Sequence, residues 1–142
     1  MTRAEIDAML ERHRQSFASR NAATLTADHT VDGTFYSPAA GTVTGHEAIR
    51  QVYDYWLRAF PDMDFRWNQP VVEGARVALF WNFRGTIAGA FFGDVRPGTR
   101  VEFAGAAEYH VSPAGIVSAR HLFDFTGALV AAGALKVKPT KA

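Results

Sequence analysis

The stretch Arg76-Val77-Ala78-Leu79-Phe80-Trp81-Asn82-Phe83-Arg84 decides the class of fold. Val77, Leu79, Trp81 and Phe83 occupy every second position, while Arg76, Asn82 and Arg84 fall between them. Successive side chains of an extended chain point to opposite faces, so this alternation reads as a strand with one buried face. Working outward, Glu73-Gly74 supplies a turn before it, and residues 63–73 read as the preceding strand. Residues 85–98 are glycine-rich and contain Phe91-Phe92-Gly93 and Pro97-Gly98, the composition of a loop crossing between strands. Alternation resumes over residues 100–111, Ser112-Pro113-Ala114-Gly115 turns the chain, and residues 116–125 return as another strand. Residues 127–135 then read as a short terminal helix.

Upstream of Pro61 the period is helical. Thr2 and Glu5 stand at capping-box spacing, and Ile6, Met9, Leu10, His13 and Phe17 recur at steps of three and four, giving a helix over 3–19. A second short helix covers 22–28, and a strand over 33–36 ends at Pro38. Thr44 with Glu47 forms a second capping box, opening a helix whose stripe is Ile49, Val52, Tyr53, Trp56 and Phe60. Helices first and a meander of long strands after them is an α+β pattern, with helices packed on one face of a curved antiparallel or mixed sheet.

The 142 residues form a single domain spanning 1–142, ending in a polar tail over 136–142, with no repeat or linker. Fifteen Lys and Arg against 14 Asp and Glu give a net charge of +1, and Lys136, Lys138 and Lys141 all lie in the tail. Without a clustered positive excess, nucleic acid is not expected as a partner. The chain has no cysteine, which excludes disulfides, thiol nucleophiles and thiolate metal sites. No apolar run approaches the roughly 18 residues of a membrane span, and the first residues lack the apolar core of a secretion signal. A cytoplasmic protein without membrane contact is the expectation. Eleven Phe, four Tyr and three Trp are the unusual part of the composition. There is no dinucleotide fingerprint, phosphate-binding loop or nucleophile elbow.

On the strand over 100–111, Val101, Phe103, Ala107, Tyr109 and Val111 share one side, and Glu102, Ala104, Ala106, Glu108 and His110 share the other. Two alanines beside Glu108 and His110 either leave a hollow floored by ionisable groups or mark an open face turned to solvent. His121 and Asp124, three apart on a strand, point to opposite faces and do not form a local dyad. Asp124 sits in the apolar run Leu122-Phe123-Asp124-Phe125. It is either a desolvated carboxyl raised toward the acid–base range or the cap of the terminal helix. His13 falls on a buried helix face, as a functional group or as a satisfied core histidine; His29 and His46 are expected to be solvated. Glu108, His110 and His121 carry no metal-ligand spacing signature, so no metal is expected.

A family resemblance rests on Phe35-Tyr36-Ser37-Pro38, Gly41 and Thr44-Gly45-His46-Glu47-Ala48-Ile49. It continues through Phe60-Pro61-Asp62, then Gly85-Thr86, Gly89, Phe92-Gly93, Pro97-Gly98 and Val101-Glu102-Phe103, and ends at Leu122-Phe123-Asp124 with Gly127, Leu129 and Gly133. In this order and spacing, over residues 5 to 135, they resemble the SnoaL-like polyketide cyclases of the nuclear transport factor two-like superfamily, to which the ketosteroid isomerases are related. The resemblance implies a cone: a curved sheet wrapped around about three N-terminal helices and enclosing an apolar pocket. It implies homodimers formed through the outer sheet surface. It also implies that Asp124 is the acid/base of an aldol ring closure that needs no cofactor or metal, with His110 assisting. The isomerases' oxyanion pair is matched by His13 and Glu108, whereas their aspartate base is matched by Ser37. Ile87 and Ala90 stand where family members commonly carry His and Glu.

The resulting expectation is a cofactor-free aldol cyclase or isomerase acting on a small hydrophobic polyketide- or steroid-like carbonyl compound. Asp124, His110, Glu108 and His13 are its catalytic candidates, and Tyr36, Tyr53, Trp56, Trp81 and Phe92 its substrate-binding walls. The alternative is a non-catalytic module that uses the same cup for a small apolar ligand or for dimerisation.

Overall fold

The computed structural model describes residues 1–140; residues 141–142, including Lys141 at the end of the polar tail, lie outside the described residues. Helix α1 (Arg3–Ala18) opens on the expected capping box. Thr2 Oγ1 accepts the Glu5 N–H at 3.2 Å and the Glu5 carboxylate accepts the Thr2 N–H at 2.6 Å, so two orphan donors are satisfied reciprocally. Asn21 caps α2 (Ala22–Ala27) by accepting from the Ala23 and Thr24 N–H groups. The second expected capping box does not form. Helix α3 (His46–Ala59) begins instead at Gly45, whose φ of +88° suits only glycine, and no side chain among the described residues caps it.

Thr44 is diverted because it ends a strand the alternation had not disclosed: β2 (Gly41–Thr44) pairs antiparallel with β1 (His29–Ser37). The region over 63–73 splits into β3 (Asp64–Trp67) and β4 (Val71–Glu73), both antiparallel to β5 (Arg76–Thr86). Strands β6 (Arg100–Ser112) and β7 (Gly115–Phe123) complete a meander, and α4 (Phe125–Ala132) follows. The sheet order is β2-β1-β7-β6-β5-β3, with β4 also on β5. Among the described residues only β1 and β7 run parallel, so the sheet is mixed.

This is the expected α+β cone, a curled but unclosed sheet with α1, α2 and α3 against its inner face. Val77, Leu79, Trp81 and Phe83 of β5 are buried as their alternation required. They join Ile6, Met9, Leu10 and Phe17 of α1 and Ile49 and Tyr53 of α3 in one core. Gly105 of β6 pairs with Trp81, and a Cβ there would lie 2.4 Å from the Trp81 ring. Glycine at that position is what lets the indole lie flat across the strand.

Candidate functional site

The inner face of the sheet does not close completely on the helices. Between β1, β3, β5, β6, β7 and α3 lies a cavity of about 60 Å³. Its walls are almost wholly apolar: Phe17, Phe35, Phe65, Phe83, Phe103 and Phe123 with Val52, Met63, Trp56 and Trp81. Tyr53 and Trp56 of α3 and Trp81 of β5 lie on this wall. Tyr36 is not on it. It lies on the opposite face of β1, opposite Arg120 of β7, whose guanidinium stands 5.9 Å from the ring centroid. Phe92 is exposed and lines a groove outside the cavity.

Three wall residues carry polar atoms of interest. His121 of β7 is the one imidazole on the wall, packed edge-on to Phe65 and Tyr109 and beside Phe35 and Trp81. Burial strips the charged form of its hydration and pushes its pKa down to about 3, so it is neutral at pH 7. Tyr53 of α3 bonds through its hydroxyl to His29 Nε2 at 2.8 Å. If His29 donates in that bond, the Tyr53 hydroxyl proton is free for a ligand oxygen. Ser37 is buried on the wall and accepts the Ala40 N–H, which holds the β1–β2 turn.

Behind His121 and Tyr53 lies a second polar group of residues that the sequence reading largely missed. His13 is wholly buried, and its Nδ1–H donates to Asp28 Oδ2 at 2.9 Å. Asp28 also accepts from Ser16 Oγ at 2.9 Å and Arg12 Nε at 3.1 Å. Burial alone would raise the Asp28 carboxyl, but His13, Arg12 and Ser16 outweigh it and hold the group below its ordinary value. Desolvation dominates at His13 and lowers its pKa despite the Asp28 partner. His29, expected in solvent, is buried against His13 and Tyr53, and its pKa falls to about 3. His46 is half-buried and donates to the His29 carbonyl at 2.8 Å.

The remaining expected site residues lie elsewhere. Asp124 is exposed and accepts the Gly127 N–H at 2.8 Å as the N-cap of α4. The apolar run around it therefore does not desolvate it, because Leu122 is itself exposed and the chain turns into the helix at this point. Glu108 and His110 lie on the outer face of β6. Glu108 accepts from Arg76 Nη2 at 2.7 Å across the strands, and His110 Nε2 lies 3.7 Å from Glu108. The open-face reading of that side is the one that holds: Ala104 and Ala106 flatten the outside of the sheet and leave no hollow. His121 faces inward and Glu108 and His110 outward, so these three do not converge. Among the described residues no group of three or more His, Asp or Glu could hold a metal ion. His121 could have been found by parity, since Ala119, His121 and Phe123 alternate inward. Asp28 and His29 gave no such signal, because they sit at the α2–β1 junction where neither period applies.

A family model described as SnoaL-like polyketide cyclase matches residues 7–131. The chain belongs to the SnoaL-like polyketide cyclase family. Among solved structures, it is similar to AclR of Streptomyces galilaeus, a proposed hydroxylase: 24% identity, 97% of this chain and 87% of that one, TM-score 0.81. It is also similar to IdmH of Streptomyces antibioticus, a proposed polyketide cyclase: 24% identity, 89% and 97% coverage, TM-score 0.75. A third similar structure is a Catenulispora acidiphila protein with a ketosteroid isomerase-like fold: 19% identity, 88% and 92% coverage, TM-score 0.74. At these identities the likeness shows the fold. No curated protein sequence matches the chain. Among the described residues of this SnoaL-like protein, no helix is long and apolar enough to cross a membrane.

Proposed function

We propose that this SnoaL-like chain is a cofactor-free acid–base enzyme, an aldol cyclase or isomerase acting on a small hydrophobic carbonyl compound held in the cavity, with His121 as its base. The observation that carries this reading is a buried imidazole on an almost wholly apolar wall, which the Tyr53 and Ser37 hydroxyls share. In the cyclase form, His121 takes a proton from the carbon alpha to a carbonyl. The enolate carbon then attacks a second carbonyl of the same molecule, forming the ring bond, and the resulting alkoxide takes the proton back from the imidazolium. Tyr53, backed by His29, would donate to the enolate oxygen. Burial makes His121 a weak base in the ground state. Negative charge forming beside the imidazolium offsets that cost, so the interaction strengthens toward the transition state.

The second reading, a non-catalytic cup for an apolar ligand, is favoured by one observation: Asp124, the acid/base of the family resemblance, is committed to capping α4. One experiment separates the readings. A linear diketone able to close on itself and a β,γ-unsaturated ketone are offered to the protein and to His121→Gln and Asp124→Asn. Under the His121 assignment, His121→Gln removes at least about a hundredfold of the rate, the lower bound for a positioned general base, while Asp124→Asn keeps most of it. Turnover should be flat through the neutral pH range, because His121 stays neutral there. Loss in Asp124→Asn alone would return the base to Asp124, and binding without turnover in the parent protein would support the cup.

We also read the protein as a homodimer through the outer sheet face. Phe80, Ala106 and Leu122 are register partners in an apolar row there, with Ala104 beside it, and the Arg76–Glu108 and Arg84–Glu102 pairs flank it.

A further inference from the structure

A cavity of about 60 Å³ holds a few water-sized groups, far below the 300–1,000 Å³ that enclose a drug-sized ligand. Just outside it, between α3, the β1–β2 turn and the loop after β5, runs a groove of about 210 Å³ lined by Ala39, Ala40, Val43, Gln51, Tyr55 and Phe92. The two spaces share two wall residues, Val52 and Trp56. Trp56 touches Phe83, Phe103 and Phe123 of the cavity at ring distances of 5.8, 6.1 and 5.8 Å, and Phe92 of the groove at 6.2 Å. Its half-buried indole is the partition. The groove's rim is held in place: Phe92 donates its N–H to Tyr55 Oη at 2.7 Å and keeps a φ of +53°, a conformation costly for a bulky residue.

We propose that cavity and groove are two compartments of one ligand site. In this reading Trp56, with Val52, sets how many rings the ligand can have, by swinging aside to admit a planar fused-ring molecule that spans both. One end of such a ligand enters the aromatic cavity toward His121, and the rest lies in the groove beneath Tyr55 and Phe92. Apart from the Trp56 indole N–H the passage is apolar, and Gln51 adds one amide to the groove, so the spanning portion must be flat and largely apolar. The proposal rests on the cavity being the ligand site and is independent of whether the ligand is turned over.

The test is binding, read without catalysis. Nitrogen-labelled protein is titrated with phenol and with 1-hydroxyanthraquinone. The Trp56 indole N–H signal is assigned through Trp56→Phe, and affinities are measured by calorimetry for the parent, Trp56→Phe and Val52→Phe. The expected result is that the three-ring probe shifts the Trp56 signal strongly and phenol does so weakly. Trp56→Phe should bind the three-ring probe about tenfold more tightly and Val52→Phe about tenfold less tightly, with any change in phenol affinity smaller than these. The proposal is overturned if the three-ring probe binds with the Trp56 signal unmoved, if neither substitution changes its affinity, or if no variant binds it. Phenol bound and the three-ring probe refused would sink the two-compartment site and leave the His121 assignment standing, since that assignment is judged on turnover.

Discussion

Asp28 shows how one carboxylate can organise a buried corner of this protein. Three donors from α1 converge on it: the His13 imidazole, the Ser16 hydroxyl and the Arg12 guanidinium. Arg12 is largely exposed and contributes little that solvent would not replace, but His13 and Ser16 are buried and have no access to water. Asp28→Ala leaves the His13 N–H without an acceptor, while the Ser16 hydroxyl still has the Arg12 carbonyl at 3.1 Å, so the variant should lose about 1–3 kcal/mol of stability. Asp28→Asn can offer its amide oxygen to the His13 N–H and should lose less. Urea unfolding of the three proteins checks this, and equal stability of Asp28→Ala and the parent would show that the network holds nothing together. The network also fixes the His13 tautomer. With Nδ1–H turned to Asp28, Nε2 is left as a buried acceptor with no partner among the described residues.

At the scale of elements, the outer face of β5, β6 and β7 makes the next test. Phe80 is 68% exposed and Leu122 47%, with Ala106 between them in register. An apolar row on the face of a sheet is a surface that a second copy could cover. Phe80→Glu and Leu122→Glu should each turn a dimer into a 15.6 kDa monomer by light scattering, with helix and strand content unchanged. A monomeric parent protein would refute the dimer. The same elements show what could be read from the sequence. Alternation on β5 and β6 placed Trp81, Phe83 and Tyr109 inside, and the α3 stripe placed Tyr53 and Trp56 on the cavity, because periodicity records which face is buried. It did not say which side of β6 was hollow. Small residues such as Ala104 and Ala106 are compatible with a pocket floor and with a flat exterior alike, and only the curl of the sheet decides between them. Thr44 and Glu47 matched a cap motif that strand pairing with β1 overrode, and Asp124 in an apolar run became a cap through a turn that its neighbours' hydrophobicity did not signal.

For the whole molecule, the interior histidines set the response to acid. His29 and His121 have pKa values near 3 in the fold against 6.5 for a free imidazole, and His13 is shifted in the same direction. A histidine whose folded pKa is depressed stays neutral inside but takes up a proton once unfolded. The unfolded chain therefore binds more protons between these limits, and stability is lost as pH falls from about 6.5 toward about 3. Each of the two most shifted histidines contributes a slope approaching about 1.4 kcal/mol per pH unit across that window. Asp28, also held below its ordinary pKa, acts with the same sign at the acid end. Chemical unfolding followed at stepped pH should thus show a steep decline below pH 6.5, with net proton uptake on unfolding. His121→Gln should flatten part of that slope while leaving the part due to His29 and His13. A pH-independent stability in this range would mean that these imidazoles are hydrated in the folded protein, and the dry aromatic interior that His121 needs in order to remain a neutral base would then be absent.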